Sequence, residues 1–341
     1  MGRRRSAAPL VVLLGALALP LVPTVGTAAP DVRLADPYVS YYQRGNLKFD
    51  GVQQVLLAHR RSYDRSDPAL AWADADGRRA GLISPLNDFP QADGFDIWAV
   101  AAGPQSVLVA GVVQAGEEVR REPPRHVILT YDLTGALRRK WVVNPWHYHP
   151  IAVNRSGNVY AMGHRIDSRR AKHLIRKYSP DGVVEREFLP SRLFANGADA
   201  SITDSRTGLN QFWIDGDRLL VYMAQREELF QFDLDGRLER RTSLRQPLTR
   251  FAREHDGVRA DVVKLAGDGQ DGSLLAEVRV WGEGQKRVSL FLVRLPPDGA
   301  RPQTVESTDG TELGTSDVPL LGTSGGAVLF LNRYTATILR R

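Results

Sequence analysis

The chain repeats itself about every 55 residues. Five segments share one form, in which a polar residue is followed by alternating apolar residues and then by a glycine turn. The turn glycines are spaced by 54, 59, 53 and 56 residues, and they are Gly103, Gly157, Gly216, Gly269 and Gly325. Spacing this even indicates an array of similar units, because one such unit buries its apolar face only against its neighbours.

A second set of glycine turns lies between the first ones. Each follows an apolar strand and a polar residue, and the glycines are Gly77, Gly135, Gly182, Gly236 and Gly299. Glycine accepts the positive φ that tight hairpin turns require. Each repeat therefore contains two hairpins, or four strands. No segment shows a sustained apolar period of 3.6 residues over the length of a helix, so we predict a nearly all-β chain.

Repeats of four short antiparallel strands are typical of a β-propeller. The mature chain holds about 5.6 such repeats, and six blades fit best. We therefore predict an all-β fold, a six-bladed β-propeller of four-stranded antiparallel blades. The last repeat contains only three strands, so residues 37–42 near the N-terminus are predicted to supply its outer strand and close the ring. Two β-sandwiches are the alternative, and they would not explain the even spacing.

The N-terminus has the three-part form of a secretory signal peptide. Arg3, Arg4 and Arg5 precede an apolar run from Leu10 to Leu19, and small residues follow. The run is shorter than the ~20 residues that a membrane helix needs, so we predict no membrane span. Residues 1–29 are predicted to be removed, leaving residues 30–341 as a single propeller domain. The predicted location is secreted or periplasmic, and the predicted state is a monomer.

The charge of the chain argues against a nucleic-acid partner. The formal net charge is +6, but three arginines lie in the leader, and the remaining 42 basic and 39 acidic residues give only +3. Basic clusters are offset by nearby acidic residues, which leaves no extended phosphate-binding stripe. The chain has no cysteine, so its stability must come from its core rather than from disulfides.

The third repeat resembles an NHL repeat, the kind found in six-bladed propellers of the TolB-like and gluconolactonase-like superfamily. The resemblance covers residues 149–162 and 174–182, and the other repeats keep only the alternation and the glycines. It implies a fold that secreted scaffolds, lyases and calcium-dependent lactonases share. A shared fold does not carry a function with it.

Long connections are expected on one side of the propeller, where the second and third strands of each blade join and where the chain crosses between blades. We call this side the long-loop face, and the other side the short-turn face. The predicted long connections are residues 84–95, 114–125, 144–148, 190–209 and 245–260. Binding residues concentrate on such loops. A polar ring is predicted there from the residues that open the inner strands, namely Asp96, His149, Asn210, Asp261 and Asp317.

The predicted ring has three interpretations. Carboxylate and amide oxygens would suit Ca²⁺, whereas a histidine is more typical of a transition metal. The third interpretation is that these residues only solvate the mouth of the channel and cap strand ends. We expect no cofactor, with Ca²⁺ as the possible exception.

The segment Trp146, His147, Tyr148 and His149 is the second candidate site. Residues two apart in an extended segment share a face, so both imidazoles are predicted to reach one Zn²⁺ or one substrate. The sequence offers no evident third ligand for a zinc site. The alternative is an aromatic, hydrogen-bonding lip of a binding funnel.

These patterns predict a non-catalytic propeller that binds a protein, peptide or glycan on its long-loop face. The sequence shows no complete catalytic set. The alternative is a metal-dependent hydrolase, lactonase or lyase that uses Ca²⁺ or Zn²⁺ at the ring, with His147 or His149 as general base.

Overall fold

The described residues form six sheets, each of four antiparallel strands. The structure is a computed structural model, and it describes residues 31–34, 46–60, 64–115, 125–167, 172–193, 210–267, 273–296, 300–305, 318–324, 327–335 and 337–341. Within each sheet the strands lie in chain order, apart from the sheet that joins the two ends of the chain. This arrangement is the predicted β-propeller.

The first three blades follow one another along the chain. Blade 1 contains β2 (Asn46–Asp50), β3 (Val55–His59), β4 (Leu70–Asp74) and β5 (Ala80–Ile83). Blade 2 contains β6 (Ala92–Gly103), β7 (Ser106–Ala115), β8 (Arg125–Asp132) and β9 (Leu137–Val142). Blade 3 contains β10 (Trp146–Val153), β11 (Val159–Arg165), β12 (His173–Tyr178) and β13 (Val184–Pro190).

The last three blades complete the ring. Blade 4 contains β14 (Gln211–Asp215), β15 (Arg218–Met223), β16 (Glu228–Asp233) and β17 (Leu238–Ser243). Blade 5 contains β18 (Arg259–Gly267), β19 (Leu274–Trp281), β20 (Arg287–Leu295) and β21 (Gln303–Thr304). Blade 6 contains β22 (Leu320–Ser324), β23 (Ala327–Asn332), β24 (Thr337–Arg340) and β1 (Val32–Arg33). Short 3₁₀ helices span Pro85–Asp88, Ser191–Leu193 and Glu283–Gln285.

An N-terminal strand closes the ring, as predicted. Val32 pairs with Ile338 and Arg33 with Thr337, so β1 is the outer strand of blade 6. The Asp31 carboxylate also accepts a hydrogen bond from the Arg340 N–H at 2.9 Å. The closing strand is therefore not the predicted segment 37–42, which lies outside the described residues. A two-residue strand is too short to produce an alternating pattern in the sequence, which explains the misplacement.

Apolar clusters fill the junctions between blades. Leu57 and Val100 belong to the cluster between blades 1 and 2. A similar apolar cluster lies between each further pair of neighbouring blades. Leu56 and Leu329 belong to the cluster between blades 1 and 6. Because the last blade packs on the first as the other neighbours do, burial of apolar surface holds the ring closed.

The glycine turns confirm the predicted hairpins. Gly77, Gly135, Gly182 and Gly236 each connect the third and fourth strands of a blade, and their φ angles lie between +68° and +85°. Glycine is favoured there because a Cβ atom would strain the backbone. Gly299, the fifth predicted member, lies outside the described residues, as do Gly269 and Gly325 of the first set.

One helix departs from the prediction of a nearly all-β chain. Helix α1 (Arg245–Glu254) connects blades 4 and 5 and packs Leu248, Phe251 and Ala252 into the core between them. Its apolar positions follow the i, i+3, i+4 spacing of an amphipathic helix. The segment spans only ten residues and buries few of them, so a search for a sustained apolar period missed it.

Candidate functional site

The six inner strands surround a central cavity of about 420 Å³. This volume lies within the range of small-molecule sites. One end of the cavity lies at Asn210, directly before β14. The other end lies in the turns that follow inner strands, at Gly51, Arg155 and Gly216. The space that suits a ligand therefore runs through the channel to the short-turn face, and is not confined to the long-loop face. Two of the predicted long connections, 114–125 and 190–209, lie mostly outside the described residues.

Polar side chains of one blade fix the inner strand of the next. Gln211 in β14 donates to the Val263 carbonyl at 3.2 Å and accepts from the Leu265 N–H at 2.5 Å, which ties blade 4 to blade 5. Asp50 in β2 accepts a hydrogen bond from the Ala102 N–H at 3.2 Å, which ties blade 1 to blade 2. These bonds restrict four of the inner strands, because each of them is held to a neighbouring blade as well as within its own blade.

Lys48 is the first basic group in the cavity wall. It lies in β2, and its ammonium group donates a hydrogen bond across the channel to the carbonyl oxygen of Ile151 in β10. Removal of water by the surrounding protein lowers the pKa of Lys48 to about 8. The carboxylate of Asp50 opposes this shift, and the positive charge of Lys264 adds to it.

Lys264 is the second basic group. It lies in β18 directly opposite Glu277 in β19. Burial lowers the pKa of Lys264, and the charge of Glu277 opposes that shift. Glu277 is buried and accepts a hydrogen bond from the Leu320 N–H of blade 6. Burial raises its pKa to about 7, although the Leu320 N–H and the nearby positive charges of Lys264 and Arg333 favour the ionised form.

This raised pKa predicts a measurable pH dependence of stability. Between the ordinary pKa of 4.5 and about 7, folded Glu277 holds a proton that the unfolded chain has released. The protonated Glu277 carboxyl therefore contributes fully to the free energy of unfolding below pH 4.5. That contribution is lost as the pH rises through 7. Glu277→Gln cannot titrate, so its free energy of unfolding should gain up to about 3 kcal/mol relative to the unsubstituted protein between pH 4.5 and 8.

Urea denaturation at several pH values measures this difference. Glu283→Gln makes the same chemical change at an exposed side chain and is the control. Parallel pH profiles for Glu277→Gln and the unsubstituted protein would show that the Glu277 carboxyl does not titrate in this range.

His147 lies in an aromatic cluster beside the cavity. Its ring centroid is 4.3 Å from that of Trp98, which lines the cavity, and 5.0 and 5.2 Å from those of His126 and His164. Burial, followed by the neighbouring His164, lowers the pKa of His126. Sequence reasoning did not place a third histidine beside His147. The register of the hairpin would have identified His164 as that histidine, because it lies directly opposite His147 in β10 and β11.

The other aromatic residues of that segment lie in the core. Trp146 and Tyr148 are each 3% exposed and belong to the cluster between blades 2 and 3. The Arg176 guanidinium lies 3.9 Å from the Trp146 ring centroid, and the Tyr148 hydroxyl bonds to that of Tyr178. These contacts assign both rings to packing and do not place them at the cavity. The side chain of His149 is outside the described part of the structure.

The described members of the predicted polar ring have separate local partners. Asp96 accepts a hydrogen bond from the Gln114 amide at 2.7 Å. Asn210, which lines the cavity, accepts one from the Ala224 N–H at 2.8 Å. Asp261 pairs with Arg259 and accepts from the Trp281 indole at 2.8 Å.

The metal site therefore stays a prediction. Asp317, like the His149 side chain, is not among the described residues, so the complete ring has not been tested. Within the described ranges, no group of three or more histidine, aspartate or glutamate side chains is arranged to hold a metal ion. Nor does any helix in those ranges have the length and apolar composition needed to span a membrane.

The comparisons with known proteins do not assign the chain to a family. No family model matches the chain, and no curated protein matches it. A member of the duf4221 family from Bacteroides vulgatus is similar in structure, with 8% identity, a TM-score of 0.44, and coverage of 92% of this chain and 95% of that one.

Two other solved structures show a similar degree of likeness. The β-propeller domain of the Trilobed protease from Pyrococcus furiosus has 13% identity, a TM-score of 0.41, and coverage of 89% of this chain and 78% of that domain. Myxococcus xanthus glutaminyl cyclase has 9% identity and a TM-score of 0.35, with coverage of 73% and 90%. Likeness at this level carries no argument about function. The chain is a β-propeller because of its own six sheets, and its resemblance to NHL repeats stays a prediction.

Proposed function

We propose that this protein is a secreted or periplasmic β-propeller that binds a ligand in its central channel without transforming it. The observation that carries the proposal is the cavity of about 420 Å³, whose wall is built from the inner strands of all six blades. Most of a small-molecule site is apolar, with a few polar groups that fix orientation. This cavity has such a mixture, with Trp98 and Trp213 beside Lys48, Lys264 and Asn210.

The inter-blade hydrogen bonds support the same proposal. A wall that is already fixed loses little conformational freedom when a ligand binds, and such preorganisation raises affinity. A protein, peptide or glycan partner would be recognised through the chemical group that enters the channel. The proposed location rests on the leader predicted for residues 1–29.

Filling the cavity tests this proposal. Gly51 lines the cavity, an added Cβ would meet nothing within 4 Å, and its φ is not positive. Gly51 lies in the exposed β2–β3 turn at the short-turn end of the cavity, so Gly51→Trp should place an indole over that opening without displacing the wall. We expect it to abolish binding of small-molecule probes that stabilise the unsubstituted protein in a thermal-shift screen of short peptides, oligosaccharides and organic acids.

Val142→Trp is the matched control, because Val142 is 62% exposed on an outer strand. It should leave probe binding unchanged. Probes that bind Gly51→Trp as tightly as the unsubstituted protein would place the site outside the channel and contradict the proposal.

The hydrolase alternative has one supporting observation, the contact between the His147 ring and Trp98 at the cavity. Turnover of lactones, esters or peptides that is abolished by chelation and by His149→Ala would favour that alternative. Measuring turnover as well as binding therefore decides between a binding protein and an enzyme.

A further inference from the structure

Two of the six lysines of the chain lie in the wall of one cavity. Arginine supplies 39 of the 45 basic residues, so lysine is rare in this protein. Lys48 comes from blade 1 and Lys264 from blade 5. Burial is the main cause of the lowered pKa of Lys48, and the positive charge of Lys264 adds to it. Two like charges that face the same enclosed space repel each other and lose hydration. Their placement is therefore costly without an anion between them.

The carboxyl groups that interact with the two lysines, those of Asp50 and Glu277, accept hydrogen bonds from backbone N–H groups. Asp50 accepts hydrogen bonds from the backbone N–H groups of Val52, Gln53 and Ala102, at 3.1, 3.1 and 3.2 Å. Glu277 accepts one from Leu320. Within the described part of the chain, neither lysine forms an ion pair.

The two carboxyls also neutralise the lysines incompletely. Burial raises the pKa of Asp50 as well as that of Glu277, which favours their neutral forms. Burial also lowers the pKa of both lysines, so an anion bound between them would favour their charged forms. In the same wall, the Arg155 guanidinium offsets the charge of the Asp215 carboxylate. Trp98 and Trp213 add aromatic surface to the same wall, which favours an organic anion over an inorganic one.

We infer that the channel binds an organic carboxylate, held by the ammonium groups of Lys48 and Lys264 with its apolar part against Trp98 and Trp213. This inference rests on the proposed function, because it names the ligand class of the same cavity. A carboxylate supplies two acceptor oxygens and a negative charge, which matches two ammonium donors. The carboxylate would belong to a free organic acid or to the C-terminus of a peptide.

Calorimetric titration with matched probes tests the inference. The probes are 4-phenylbutyrate, its neutral amide, a tripeptide with a free C-terminus, the same tripeptide amidated, and inorganic phosphate. We expect both carboxylates to bind at least ten-fold more tightly than their amides. The tighter of the two shows whether the natural carboxylate belongs to a free organic acid or to the C-terminus of a peptide. Lys264→Met and Lys48→Met should each weaken carboxylate binding at least ten-fold, and the double variant should abolish it.

Lys286→Met removes an exposed lysine outside the cavity wall and should bind carboxylates as the unsubstituted protein does. Methionine keeps the length of the side chain. Removal of a poorly hydrated charge offsets the hydrogen bond that Ile151 loses in Lys48→Met, so the channel variants should unfold at a similar denaturant concentration. That second measurement separates loss of the site from loss of the fold.

Three results would overturn the inference. Carboxylates that bind the two channel variants as tightly as Lys286→Met would show that the lysines are not the site. Binding of phosphate but not of carboxylates would show that the site binds a different class of anion. Binding of the amides alone, blocked by Gly51→Trp, would leave the proposed function standing and remove only the inferred ligand class.

Discussion

Gly163→Ala should destabilise the protein by about 4 kcal/mol, above the 1–3 kcal/mol usual for overpacking. Gly163 is buried in β11 opposite Tyr148. An added Cβ would lie 2.1 Å from the carbonyl oxygen of His147 and 2.7 Å from Cδ1 of Tyr148. A backbone carbonyl has no alternative rotamer, so β10 would have to move away from β11. Guanidinium denaturation followed by tryptophan fluorescence measures the loss.

Gly51→Ala is the control for this effect. A Cβ at Gly51 would meet nothing within 4 Å, and its φ does not favour glycine, so the free energy of unfolding should change by less than about 0.5 kcal/mol. If both alanine variants were equally stable, the close approach of β10 and β11 at Gly163 would not exist in solution.

Asp50→Ala should cost about 4 kcal/mol, because it removes the acceptor of three backbone N–H groups at once. Asp50 is 6% exposed, and its partners Val52, Gln53 and Ala102 span the β2–β3 turn and the neighbouring blade. The Ala102 N–H would lose its partner in the buried junction, and the Val52 and Gln53 N–H groups would lose theirs in a partly buried turn. The expected result is a large drop in the denaturation midpoint with an unchanged slope.

Asp50→Asn separates hydrogen bonding from charge. Its amide oxygen has the position of Oδ1, which accepts from Val52 and Gln53, and its neutrality resembles the protonated acid that burial favours. The Asn variant should therefore lose less than half as much stability as the Ala variant. Equal losses would mean that the second carboxylate oxygen or the negative charge holds the junction of blades 1 and 2, because Oδ2 accepts from the Ala102 N–H and an asparagine NH2 cannot.

The sequence predicted the repeating hairpins because their cause is local. Gly77, Gly135, Gly182 and Gly236 each adopt a positive φ within a short turn, and no distant contact is needed to impose it. The alternating strands between these turns need only neighbouring strands to pair with. The missed helix α1 and the misplaced closing strand are short segments whose conformation depends on the blades that they contact.

The candidate site was harder to predict because bulges interrupt the inner strands. The pairing register shifts between Ile97 and Ala99, between Tyr148 and Ile151, and between Val262 and Lys264. A shift of one residue turns every later side chain to the other face of the strand. The prediction used the polar residues that open the inner strands, among them Asp96 and Asp261. The alternation could not be followed past the bulges to Trp98 and Lys264, which line the cavity.

By itself, the sequence determined where the chain turns, how many strands it forms and that they repeat as blades, because these properties depend on residues adjacent in the chain. Only the tertiary structure decided which side chains enter the channel. Lys48 and Lys264 are 216 positions apart, and they face one cavity only because the ring closes and the bulge in β18 sets the direction of Lys264.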